Sequence, residues 1–248
     1  MTNRCDIMKR QALLICNSDA SGAQHDIEKW KKYLQSANGG SWNLAEIESK
    51  VNPSLDEVKD FLRRIKDDGN DFVIVAYAGH GEWKRSTNIE LNPVGETIRE
   101  DAFYNLAPRQ IICLDCCRGV SQIELFDEAQ ERMFSATVRG SIRAAYDRRM
   151  MQADPQQVIL YACQIGESAY GDNAGGYYTN NLIRQAREFL PNKDFQTVNY
   201  AHNLAAPLTT DETCRKAGKN QHPDMVCGRS VNDKQLIIGV STKMFRVF

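Results

Sequence analysis

The stretch Phe72-Val-Ile-Val-Ala-Tyr77 constrains the fold of this chain more than any other segment. It is continuous, apolar and rich in β-branched residues, the pattern of a strand covered on both faces of a sheet. Similar runs recur at Gln11-Ala-Leu-Leu-Ile-Cys16, Gln110-Ile-Ile-Cys-Leu114 and Gln157-Val-Ile-Leu-Tyr-Ala162, with a short one at 43–47 and a late one at 234–240. Between them the apolar period changes. Ile27, Trp30 and Leu34 share one face of a helix expected over 26–35. Ser54-Leu-Asp-Glu57 is a capping box that opens a second helix, with Leu55, Val58, Phe61, Leu62 and Ile65 inside. Further helices are expected over 96–106, 177–190 and 194–204.

Alternating strands and helices predict an α/β domain of about six mostly parallel strands, with helices on both faces. A chain of 248 residues suits one such domain. Residues 121–155 break the pattern: they lack a strong apolar run and carry Arg132, Arg139, Arg143, Arg148 and Arg149. This segment reads as an exposed connection inside one sheet, joining a larger part, 1–120, to a smaller one, 156–248.

Charge excludes some functions. The 31 Lys+Arg nearly balance the 32 Asp+Glu, which argues against a dedicated nucleic-acid binder. No apolar run approaches the roughly 18 residues of a membrane span, and the first ten residues show no secretory pattern, so a cytoplasmic protein is expected. There the eight cysteines are free thiols, most of them packing as small hydrophobes.

In open parallel sheets the reactive groups gather beyond the carboxyl ends of the strands. Two strand ends here carry such groups. The run ending at Tyr77 delivers His80 between two glycines, and the run ending at Leu114 delivers Cys116 and Cys117. A thiol needs a nearby base to act as a strong nucleophile at neutral pH, and imidazole titrates in the right range. The N–H groups of Gly81 and of the attacking cysteine supply the two donors that a tetrahedral oxyanion requires.

Tyr77-Ala-Gly-His-Gly81 and Asp115-Cys-Cys-Arg-Gly119 resemble the histidine and cysteine motifs of the caspase-like cysteine peptidases. Their spacing is shorter than the roughly 50 residues of caspases, in keeping with bacterial, metacaspase-like members. The resemblance extends along the chain. Ala12-Leu-Leu-Ile-Cys16 is similar to the family's first strand, and His25-Asp-Ile-Glu28 to the start of its first helix. Tyr161-Ala-Cys-Gln164 through Glu167-Ser-Ala-Tyr170, then Gly175-Gly-Tyr-Tyr-Thr-Asn180, is similar to the small-subunit strand, loop and helix. Gln235-Leu-Ile-Ile-Gly-Val-Ser-Thr-Lys243 is similar to the last strand.

The resemblance implies a caspase-like three-layer sandwich and a cysteine endopeptidase that needs no cofactor. Cys117, the third motif residue, is then the nucleophile and His80 its base; Cys116 is core filler. The first motif position is Gln in caspases and Asp in metacaspases. Asp115 therefore implies a pocket for Arg or Lys before the cut, because a carboxylate in a partly dry pocket prefers such a partner. Asp26 is either a second acid of that pocket or a helix-start charge. Ser168 and Tyr170 belong to the loop expected to flank it. Segment 121–155 lies where caspase-like zymogens are cut, so Arg139, Arg143, Arg148 and Arg149 are candidate self-processing positions or parts of a solvated basic loop. Residues 82–88 lack the acidic stretch of calcium-dependent metacaspases, since calcium takes about six oxygen ligands. Expected partners are a protein or peptide substrate and an activating or co-encoded effector protein, as in bacterial defence or programmed death; pairing of two copies stays open.

Three other readings compete. Cys113-Leu-Asp-Cys116 is formally a redox or zinc CxxC. Cys214, His222 and Cys227 are potential zinc ligands. A caspase-like fold can also serve as a silent interaction module, which the presence of both His80 and Cys117 weakens.

Overall fold

All seven residues of the strand Phe72–Ala78 are buried, and the rest of the fold is arranged around it. The computed structural model describes residues 8–119 and 139–245. In chain order its elements are β1 (Arg10–Cys16), α1 (Ala23–Gln35), β2 (Ile47–Val51), α2 (Leu55–Asp67), β3 (Phe72–Ala78), β4 (Gly81–Trp83), β5 (Thr87–Glu90), β6 (Thr97–Arg99), β7 (Arg109–Asp115), α3 (Arg139–Met151), β8 (Gln156–Tyr161), β9 (Gly171–Asp172), β10 (Gly175–Gly176), α4 (Tyr177–Ala186), β11 (Phe195–Thr197), α5 (Val198–Ala217), β12 (Asp224–Cys227) and β13 (Ile237–Val240).

Six strands form the main sheet in the order β12-β8-β7-β3-β1-β2. The five from β8 to β2 are parallel, and β12 runs antiparallel to β8. Side chains alternate between two cores, as the strand period requires. Leu14, Ile74, Ile111 and Cys113 face α1, α3, α4 and α5. Leu13, Ile15, Val75, Ile112 and Leu114 face α2 and the small β4–β5–β6 sheet. This is the expected three-layer α/β sandwich, with most of its helices on one face.

Four sequence expectations are corrected. Residues 96–106 form no α-helix: Ile98 alone of β6 is buried, the strand pairs with β5, and a 3-10 turn follows at Glu100–Phe103. The helix expected at 194–204 begins at Val198, after β11, and continues to Ala217. The late strand β13 pairs with β11 outside the main sheet, whose sixth member is β12, a segment with no strong apolar pattern.

The fourth concerns the arginine-rich connection. Its part 139–151 is α3, not an exposed loop, and buries Ile142, Tyr146 and Met150 at four-residue spacing. Each such side chain contributes roughly 1.5–3 kcal/mol on burial. Arg10, at the start of β1, anchors the helix: its guanidinium donates to Asp147 at 2.9 Å and lies 4.4 Å from the Trp42 ring centroid. Arg143 grips Glu46 and pairs with Asp147 at 3.3 Å. The remainder of that connection, including Arg132, lies outside the described residues. Among the described residues no helix is long and apolar enough to cross a membrane.

Candidate active site

From β1 the chain moves outward to β2 and returns on the other side of β1 as β3. At such a reversal the loops at the carboxyl ends diverge and leave a crevice. Here it is a cavity of about 530 Å³, lined by Asp26, His80, Gly81, Asp115, Cys117 and Tyr170 among others. Asp19, Glu82 and Glu90 add further carboxylates to the wall, and among the described residues no lysine or arginine lines it.

His80 reaches the cavity through a turn that only glycine allows. Gly79 has φ +154°, and a Cβ there would stand 2.4 Å from the Tyr77 hydroxyl. The Gly79 amide donates to the Asp115 carbonyl at 3.1 Å, tying the ends of β3 and β7 together. The Tyr77 hydroxyl donates to the His80 carbonyl at 2.7 Å. That same carbonyl accepts the Glu90 amide at 3.1 Å. The Tyr77 hydroxyl also reaches the Glu90 carbonyl at 2.5 Å, and the β4–β5 ladder begins with Gly81 opposite Ile89. A Cβ on Gly81 would lie 2.7 Å from Cys116 Sγ and 3.0 Å from the Cys117 carbonyl. The candidate oxyanion donor therefore sits directly against the cysteine turn.

Cys117 is partly exposed and lines the cavity with His80. Its thiol donates to the Ala169 carbonyl at 3.7 Å. Burial pushes it above its ordinary pKa and the Asp115 charge adds to that, against hydrogen bonds to Ala169 and the Ser168 hydroxyl. Among the described residues no hydrogen bond joins the thiol to His80; the thiol is turned toward the 168–170 loop. Catalytic hydrogen bonds are often made only once substrate is bound. Tyr170 lines the same cavity, its amide held by Gln221 at 3.0 Å.

Asp115 and Asp26 come together at the floor. Asp115 Oδ2 accepts the Thr179 amide at 3.1 Å and the Thr179 hydroxyl at 2.6 Å. Asp26 Oδ2 accepts the Gly176 amide at 2.8 Å, while its Oδ1 is buried without a hydrogen-bond partner. Burial is the main force raising both carboxyls, and Asp26 is raised further by Asp115. Gly175 and Gly176 make room for the pair: their absent Cβ atoms would stand 1.9 Å from Asp26 Oδ1 and 2.3 Å from Asp115 Oδ2. Asp26, in the first turn of α1, is thus buried in the cavity wall next to Asp115.

The sequence reading names this glycine pair and Thr179 only within the family-like stretch 175–180 and gives them no role in the site, although two glycines just before a helix are a visible signal. Arg118 too appears there only as a motif letter. That guanidinium is buried 3.7 Å from the Tyr161 ring centroid, with Nε donating to Thr87 at 3.2 Å, and so fixes the cysteine turn to β5 and β8.

The rival cysteine readings separate in space. Cys113 and Cys116 face opposite cores. Cys214 is exposed, His222 bonds Glu167 at 2.6 Å, and Cys227 accepts from Asn199. Among the described residues no cluster of three metal-ligating side chains forms. Of the candidate processing residues, Arg139 is the first residue of α3 and Arg148 is exposed. Arg143 is held by Glu46, and Arg149 donates to the Gln235 carbonyl at 3.1 Å.

Comparison with known proteins agrees with this fold. The family model of the caspase domain matches residues 9–231. Among solved structures, caspase-1 from Spodoptera frugiperda superposes with a TM-score of 0.58 at 12% identity, covering 89% of this chain and 86% of that one. A protein from Geobacter sulfurreducens superposes with a TM-score of 0.56 at 13% identity, covering 92% and 97%. No curated protein sequence matches. The match over most of its length shows that this chain belongs to the caspase-domain family of cysteine peptidases.

Proposed function

We propose that the protein is an endopeptidase that cuts protein substrates after arginine or lysine, with Cys117 as nucleophile and His80 as general base and then acid. The observation that carries this reading is the buried pair Asp26 and Asp115 beside Cys117, with Asp26 Oδ1 lacking a partner. A buried carboxyl oxygen without a partner is costly unless a ligand satisfies it, and a guanidinium or ammonium is the fitting ligand.

In the reaction His80 takes the thiol proton, and Cys117 Sγ attacks the scissile carbonyl carbon. The Gly81 and Cys117 amides hold the oxyanion. As the C–N bond breaks, the imidazolium gives its proton to the leaving amine. Water, deprotonated by His80, then hydrolyses the thioester, and the proton returns to the thiol. The acidic lining suits a basic substrate beyond the one side chain, by attraction at short range.

Self-processing after Arg139, at the start of α3, fits this specificity. Cutting after Arg143 requires the ion pairs to Glu46 and Asp147 to open first. The test is cleavage of an arginine-P1 fluorogenic peptide. Cys117→Ala and His80→Ala should each lower the rate by about 10³-fold or more; full retention of cleavage in either variant overturns the dyad.

A further inference from the structure

The two floor carboxyls are not equivalent. One oxygen of Asp115 takes both the amide and the hydroxyl of Thr179, in the first turn of α4. Amides there carry the positive end of the helix dipole. Asp26 receives one amide bond, from Gly176 at the helix N-cap, and keeps Oδ1 unpartnered inside the cavity wall.

We propose that Thr179 is a positioning residue of the specificity pocket: it commits Asp115 as the standing anion and leaves Asp26 to hold a proton in the empty pocket, released when the substrate's cation enters. This rests on the basic-P1 reading above. Other groups facing Asp26 do not reverse the division. Lys29, on its own helix, lowers the carboxyl and is bonded to Asn180. Asp172, on β9, raises it and is paired with Lys216 at 3.0 Å. Asp115, on β7, is the larger influence after burial. Two adjacent buried carboxyls avoid double ionisation by sharing one proton, and donors aimed at Asp115 decide which one gives it up.

The step conserves protons: Asp26 carboxyl plus guanidinium or ammonium yields Asp26 carboxylate paired with that cation, with the proton passing to solvent. Substrate binding is therefore linked to pH. Below the Asp26 midpoint, KM for an arginine-P1 peptide rises by up to about tenfold per pH unit, the limit for one released proton, and this carboxyl makes no contribution of its own to the pH dependence of kcat.

Site-resolved carbon NMR of the Asp side chains, titrated on the full Cys117→Ala chain, decides the matter without turnover. Asp115 should ionise at lower pH than Asp26, and saturating agmatine (a guanidinium probe of the pocket) should deprotonate Asp26. Thr179→Val should raise the Asp115 midpoint, whereas Thr179→Ser should keep it near that of the parent. In the active enzyme Thr179→Val should raise KM severalfold at low pH with little change in kcat, and Thr179→Ser should restore it. Asp26 ionising before Asp115, or a Thr179→Val chain with the parent's Asp115 midpoint, overturns the proposal. If the titrations come out as expected but peptides with arginine or lysine at P1 are not preferred, the basic-P1 reading fails and the division of charge stands.

Discussion

A Cβ on Gly176 would stand 2.3 Å from Oδ2 of Asp115. Gly176 itself has φ −63°, which any residue adopts, so its requirement for glycine is one of space and not of backbone strain. Gly176→Ala should therefore push the carboxylate off Thr179 without distorting the chain elsewhere. The expected result is a KM for an arginine-P1 peptide raised about tenfold or more, the loss of one charge-assisted contact. The rate of Cys117 alkylation by iodoacetamide should stay close to that of the parent, which separates pocket damage from dyad damage.

Asp26 should weaken the fold at neutral pH. Its pKa in the folded chain is raised by burial first and by Asp115 second, so the folded state resists its ionisation more than the unfolded state does. That contribution is fully favourable below the ordinary carboxylate value near 4 and is lost as pH rises through the folded midpoint. Asp26→Asn removes the penalty. Urea melts at neutral pH should show the variant more stable by at least about 1 kcal/mol, the equivalent of one pKa unit, with the gain shrinking toward pH 4. Arginine-P1 cleavage should fall in the same variant.

Arg118 follows the nucleophile and is almost fully buried, stacked on Tyr161 and bonded to Thr87 and the Cys163 carbonyl. Arg118→Ala should cost about 2–4 kcal/mol in denaturant unfolding, from the lost cation–π contact and the acceptors left bare. Arg118→Lys should recover only part of that, because an ammonium cannot both stack and span two acceptors.

Arg10 makes the equivalent anchor at the other end of the sheet. It is buried between Trp42 and Tyr146 and donates to Asp147. Arg10→Met keeps the volume but leaves Asp147 with Arg143 as its remaining cation and loosens α3. A loss of about 3 kcal/mol is expected, together with faster trypsin cleavage within 139–151, read by mass spectrometry.

Legibility in the sequence followed how locally each feature is determined. β3 could be read because every one of its residues is apolar and buried. The α2 capping box could be read because its two reciprocal bonds, Glu57 amide to Ser54 at 3.2 Å and Ser54 amide to Glu57 at 2.9 Å, lie within four residues. His80 and Cys117 stood out because each follows a clear strand. α3 was hidden because only every fourth residue faces the core and the ion pairs to Arg10 and Glu46 hold the rest. β6 was mistaken for helix because a three-residue strand carries too little period to show. Thr179, Gly175 and Gly176 matter only through contacts with Asp115 and Asp26, far away along the chain. Such pairing has no local signature.

The central claim is that Asp26 and Asp115, set beside Cys117, make this a peptidase for basic residues. A peptide library varied only at P1, cleaved by the parent chain and by Asp115→Ala, tests it most directly. The expected result is arginine and lysine preferred over aspartate and leucine by about 10²-fold or more in kcat/KM, with that preference largely lost in Asp115→Ala while slow cleavage dependent on Cys117 persists. A parent enzyme that prefers aspartate or leucine, or an Asp115→Ala variant with the arginine preference intact, would contradict it.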